Sequence, residues 1–75
     1  MVELLYKDHL IVACAHFDQP RKSWVPVADI SWWSQTGRGG HTLHHRSAAR
    51  DSYRDAETLG LQLGKAWVDQ RPTKL

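Results

Sequence analysis

The fold is decided by one stretch of the chain, SYRDAETLGLQLGKAWVDQ, which spans residues 52–70. Small and apolar side chains recur in it every three or four positions, the spacing of one helix face, and this predicts a helix over residues 53–70. The predicted stripe consists of Ala56, Leu59, Gly60, Leu63, Ala66 and Trp67. Ser52 can cap the first turn, and Pro72 keeps Arg71 out of helical geometry, so both ends of the helix are marked.

Three segments upstream of the helix have the composition and the alternation of β-strands. We predict these strands at residues 10–17, 24–33 and 41–45. Pairing Phe17 with Trp24 brings the apolar faces of the first two strands together. This agreement predicts the register of that hairpin.

The glycine-rich stretch SQTGRGG, residues 34–40, is predicted to be the loop that leads into the third strand. Pairing Ile30 with Leu43 then places both side chains in the core. The same register sets Asp29 opposite His44 as a cross-strand pair on the other face.

Together these elements predict an α+β fold. It is a three-stranded antiparallel β-meander with one C-terminal α-helix packed on one face, in the order β-β-β-α. At 75 residues the chain is expected to form a single small domain, residues 1–75. Its four tryptophans supply much of the apolar volume of a core that this length keeps thin.

The composition narrows the class of protein. The single cysteine, Cys14, excludes an internal disulfide and fits a reducing compartment. The first residues lack the pattern of a signal peptide, and no stretch approaches the ~18 apolar residues of a membrane span. We therefore expect a cytoplasmic protein without a membrane partner. The net charge of +2 and the pI of about 9.0 allow nucleic acid as a partner without requiring it.

No arrangement of reactive side chains predicts catalysis, a metal site or a cofactor. On a strand, His41 and His45 would lie about 13 Å apart and His44 would point to the opposite face, so they would not share an ion. Cys14 and His16 share a strand face, but no acidic residue lies near enough to orient the histidine as a base. We therefore expect a non-enzymatic protein with no metal ligands and no cofactor.

The sheet face opposite the helix is the predicted functional surface, because its apolar side chains form a patch that a soluble monomer seldom leaves uncovered. The residues predicted to contact a partner are Val12, Val25, Val27, Trp33, Arg38 and His44. The patch could be covered by a second copy or another protein, by the N-terminal residues 2–6, or by nucleic acid. Nucleic acid would stack on Trp33 and contact loop arginines. A protein partner ranks ahead of nucleic acid because acidic residues lie among the basic ones.

Parts of the chain resemble a group of short uncharacterised bacterial proteins. The resemblance rests on HLIVA at residues 9–13, WVPVADISW at residues 24–32 and LGKAWVD at residues 63–69. In that group a three-stranded sheet precedes one helix ending in an Ala-Lys or Lys-Ala-Trp-Ile/Val-Asp motif, so the resemblance implies this fold and a cytoplasmic, bacterial origin. It implies no activity and no site residues. A looser similarity, to β-β-β-α DNA-binding domains, implies a sheet that enters the major groove.

Overall fold

The computed structural model describes residues 1–71 as an antiparallel sheet covered on one face by an α-helix. The strands are β1 (Val2–Tyr6), β2 (His9–Asp18), β3 (Ser23–Ser34) and β4 (Gly37–His44), hydrogen-bonded in the order β1-β2-β3-β4. A short 3-10 helix (Arg46–Ala48) leads into α1 (Tyr53–Gln70). The antiparallel sheet and the C-terminal helix confirm the α+β class, whereas the predicted number of three strands is wrong.

The strand missing from the prediction is β1. It pairs with β2 around a two-residue turn in which Lys7 and Asp8 have positive φ angles of 49° and 64°. Such turns normally carry glycine or asparagine, so the Lys-Asp pair gives no recognisable signal. Residues 2–6 therefore extend the sheet at its edge and do not fold across its face.

The β2–β3 register is as predicted, with Phe17 opposite Trp24. The β3–β4 register differs from the prediction by two residues, since Leu43 lies opposite Ala28 and not opposite Ile30. The cause is the turn: Ser34 pairs with residue 37 around a two-residue loop, so most of the predicted glycine-rich loop belongs to β4. A shift of two residues keeps every side chain on its predicted face.

Both predicted helix ends agree with the structure. The Ser52 hydroxyl accepts a hydrogen bond from the Asp55 N–H at 3.1 Å, which satisfies one of the unpaired donors of the first turn. Arg71 is extended, with a φ of −68° and a ψ of 139°, so the helix ends at Gln70. Pro72, to which the prediction assigned this ending, lies outside the described residues.

The face of α1 that contacts the sheet is rotated relative to the predicted stripe. The buried residues recur at every fourth position: Ala56, Gly60, Gly64 and Val68. Ala66 was predicted to lie in the stripe but is exposed. The predicted stripe included Gly60 but left out Gly64, although both glycines lie against the sheet. A Cβ on Gly64 would lie only 2.8 Å from Ile11 Cγ2.

The core lies between this stripe and the facing side of β2 and β3, where Ile11, Ala28 and Ile30 are buried against Val68. Beyond it, Trp67 packs on the Trp32 ring with centroids 5.7 Å apart. This contact brings Trp67, a member of the predicted stripe, against the sheet.

Candidate interaction surface

The outer face of the sheet is the face opposite α1. The registers place on it the even-numbered residues of β2 and β4 and the odd-numbered residues of β3. The six residues predicted as a partner-binding surface therefore all lie on this face: Val12, Val25, Val27, Trp33, Arg38 and His44. The two-residue error in the β4 register leaves the grouping intact because side chains alternate with period two.

One half of the outer face is apolar and exposed. Trp33 is 79% exposed and Leu5, on β1, is 72% exposed, while the β2 side chains Leu10 and Val12 are half-buried. We call these four residues the apolar patch. The sequence prediction missed Leu5 because it did not recognise β1, and the run of apolar residues at positions 4–6 was the only available signal.

The other half of the outer face is covered by histidines. Val25 and Val27 are each only 5% exposed, so a partner would not contact them directly. In the strand ladder His16 lies opposite Val25 and His44 lies opposite Val27, and the two imidazole rings are 5.9 Å apart. The valines therefore support the surface, and the histidines form it.

The predicted pairing of Asp29 with His44 is wrong. Asp29 lies opposite Thr42 and accepts a hydrogen bond from its hydroxyl, which turns the carboxylate towards β4. Within residues 1–71, no group of three or more histidine, cysteine, aspartate or glutamate side chains is arranged to hold a metal ion.

Cys14 lies on the outer face, opposite Val27. Burial raises the pKa of the Cys14 thiol, and the negative charge of Asp29 raises it further. Because the thiolate is the nucleophilic form, this environment makes Cys14 a poor nucleophile at neutral pH.

The exposed end of the face carries two opposite charges on either side of Trp33. Asp8 and Arg38 border one depression, of about 270 Å³, with Trp33 between them. Arg38 lies opposite Trp33 in the ladder and donates to the Ser31 hydroxyl at 3.5 Å. Among the described residues, neither Asp8 nor Arg38 forms an ion pair.

A second depression, of about 750 Å³, lies over β3 and β4. Leu10 and Val12 border it on one side, and Arg38 and Thr42 border it on the other. Gly40 also lines this depression. Leu10, Ser31 and Gly40 lie side by side on β2, β3 and β4, and the surface is lowest at β4 because Gly40 has no side chain.

Polar and aromatic contacts on the opposite face hold α1 to the sheet. Asp69 accepts from Lys7 Nζ at 2.6 Å and from the Tyr6 hydroxyl at 2.9 Å. The Lys7 hydrogen bond, followed by that of Tyr6, lowers the pKa of Asp69, and Asp69 raises the pKa of Lys7. The Arg71 guanidinium lies 3.9 Å from the centre of the Trp32 ring. These groups stabilise the fold and take no part in the outer face.

Comparisons with protein-family models, with curated proteins and with solved structures give no match to this chain. The resemblance to short bacterial proteins therefore stays a prediction. In the part of the chain that the structure describes, no helix is both long enough and apolar enough to cross a membrane.

Proposed function

We propose that this protein is a small, non-enzymatic interaction domain that pairs with a second copy of itself through the outer face. The observation that supports the proposal is the apolar patch, in which Trp33 and Leu5 expose most of their surface beside Leu10 and Val12. The core does not use these side chains, because α1 covers the opposite face. Exposed contiguous apolar surface is typical of a site of protein association.

The outer face is large enough for a dimer. Four strands spaced about 4.8 Å apart, over about eight residues of about 3.3 Å each, give roughly 500 Å² of face per copy. Two copies would bury at most about 1,000 Å², which is the size of a weak, transient interface. Dimerisation would also enlarge the thin apolar interior of a 75-residue chain.

The charge of the outer face suits a protein surface better than nucleic acid. The registers place Glu3 and Asp29 on this face, where they offset Arg38. Arg21, one of the loop residues that could contact phosphates, lies 3.8 Å from the Asp18 carboxylate. The face therefore has no excess of positive charge to attract a polyanion.

The non-enzymatic part of the proposal is supported by the environment of Cys14. Its raised pKa disfavours the thiolate, so the strongest nucleophile on the face is poorly activated. The same thiol supports the proposed cytoplasmic location, because a reducing compartment would keep it reduced.

Light scattering after size exclusion, at several protein concentrations, tests the dimer. Trp33→Ser should shift the equilibrium towards monomer, while changing the free energy of unfolding of the monomer by no more than about 0.5 kcal/mol. Val2→Ser is the control, since Val2 is also an exposed apolar residue but points to the opposite face of the sheet. A wild-type chain that stays monomeric at every concentration would refute the proposal.

A second candidate function, binding of single-stranded nucleic acid, is favoured by the exposed Trp33 indole beside Arg38. An indole can stack on a base while the guanidinium contacts phosphate. Titration of a labelled oligonucleotide at several salt concentrations tests it, because phosphate contacts must weaken steeply with salt. Absence of binding at low salt would exclude this alternative.

A further inference from the structure

Gly40 is the one glycine in this structure whose lack of a side chain the fold does not require. The other four have either a positive φ angle or a neighbour that a Cβ would approach within 3.0 Å: Gly37, Gly39, Gly60 and Gly64. A Cβ on Gly40 would meet only the Ile30 carbonyl oxygen, at an ordinary contact distance of 3.6 Å. The monomer could therefore carry a side chain at this position.

Glycine inside a strand is destabilising relative to alanine, and it commonly marks a place where another molecule approaches the backbone. Gly40 lies in the lining of the larger depression on the outer face, between Arg38 and Thr42 on β4. We call this gap the Gly40 notch. Its position on the proposed interface points to a group from the partner that fills it.

We propose that the Gly40 notch receives Leu10 of a second copy, in a dimer whose two-fold axis runs along β3. This inference rests on the proposed function. Leu10 on β2 and Gly40 on β4 lie on either side of Ser31 in one row of the sheet. An axis along β3 exchanges β2 with β4, so Leu10 of each copy lies over the notch of the other. The notches of both copies are then filled in one closed, symmetric interface.

The same axis pairs opposite charges. Asp8 immediately precedes β2 and Arg38 lies at the start of β4, on either side of Trp33. Because the axis exchanges β2 with β4, Arg38 of each copy lies over Asp8 of the other. The dimer therefore contains two such charge pairs. Both residues are without an ion-pair partner within residues 1–71, so the dimer supplies the complementary charge.

The residues of β3 itself are compatible with this axis. Trp33 lies on β3, along which the axis runs, so the two exposed indoles meet near the axis and cover each other. Asp29 also lies on β3, but its carboxylate is directed at Thr42 on β4. The two carboxylates therefore lean to opposite sides of the axis and do not face each other.

Filling the notch is the first test. Gly40→Leu should leave the monomer folded, because the site is open, and should raise the dimer dissociation constant by at least about tenfold, since Leu10 of the second copy no longer fits. Gln62→Leu adds the same side chain on the exposed surface of α1 and should leave the dissociation constant unchanged. Circular dichroism of both variants checks the fold, and Gly40→Ala should give an intermediate effect.

Exchanging the charges is the second test. Asp8→Lys and Arg38→Glu each replace attraction with repulsion at both pairs, and each should weaken the dimer by about five- to thirtyfold. The double variant should restore the dissociation constant to within about threefold of the wild type. The turn can accept lysine at position 8, because Lys7 already has a positive φ of 49°.

The outcomes separate this inference from the function on which it rests. A dimer that is lost in Trp33→Ser but unaffected by Gly40→Leu, with no rescue in the double charge variant, would overturn the two-fold arrangement alone. A chain that is monomeric at all concentrations would overturn the arrangement and the proposed function together.

Discussion

Gly60→Ala tests how closely α1 approaches the sheet. The added Cβ would lie 2.8 Å from the carbonyl oxygen of Val27, which belongs to the backbone of a central strand and has little freedom to move. Alanine gains about 1 kcal/mol over glycine in a helix interior, whereas overpacking costs about 1–3 kcal/mol. Because the clash is with backbone, we expect the cost to exceed the gain, with a net loss of up to about 2 kcal/mol in the free energy of unfolding.

Urea denaturation followed by far-UV circular dichroism measures this loss, at one fixed protein concentration so that dimerisation contributes equally to each variant. The midpoint of thermal unfolding should fall by about 4–8 °C for each kcal/mol. Ala66→Gly, at an exposed position of the same helix, calibrates the helix-propensity contribution alone and should cost about 1 kcal/mol. If Gly60→Ala instead stabilises the protein by about that amount, α1 does not rest on the sheet at Gly60 and the packing argument is wrong.

Three further predictions concern other parts of the chain. Gly39→Ala should lower the free energy of unfolding by about 1–3 kcal/mol in urea titrations, because its Cβ would collide with the Trp32 ring; an unchanged value would contradict the contact. Asp69→Asn should remove a stabilisation that is present at neutral pH and lost as pH falls through the folded pKa of Asp69, because Lys7 lowers that pKa below its unfolded value. Stability curves of Asp69→Asn and wild type should therefore converge in acid, and a gap that persisted there would refute the assignment. Cys14 should react with iodoacetamide at about pH 8 more slowly than a small thiol, and faster as the pH rises further, because burial raises its pKa; equal rates would show that the thiol is not shielded.

The parts of the fold that could be predicted depend on local signals. The Ser52 cap and the recurrence of apolar residues every three or four positions define α1 almost to the residue. The β2–β3 register follows from matching two apolar faces, since only the pairing of Phe17 with Trp24 brings Ile11 opposite Ile30.

The parts that could not be predicted depend on turn geometry. The Lys7-Asp8 turn adopts positive φ angles without glycine, so β1 was missed and Leu5 was left off the surface. The tight turn after Ser34 draws residues 37–40 into β4, which moves Asp29 from His44 to Thr42. Neither turn changes the pattern of apolar residues, and the strands were predicted from this pattern.

The sequence by itself determined the class of the fold and the side chains that β2 and β3 place on the outer face, because the period of two along a strand assigns each side chain to a face even when the register is shifted. Tertiary structure decided which members of that face are exposed. Val25 and Val27 are buried beside histidines from neighbouring strands, whereas Trp33 projects from the exposed end. It also decided that Gly60 and Gly64 meet the sheet while Gly40 leaves a notch. The reason is that exposure and close approach depend on residues that pairing brings together from distant positions in the chain, and local patterns do not contain that information.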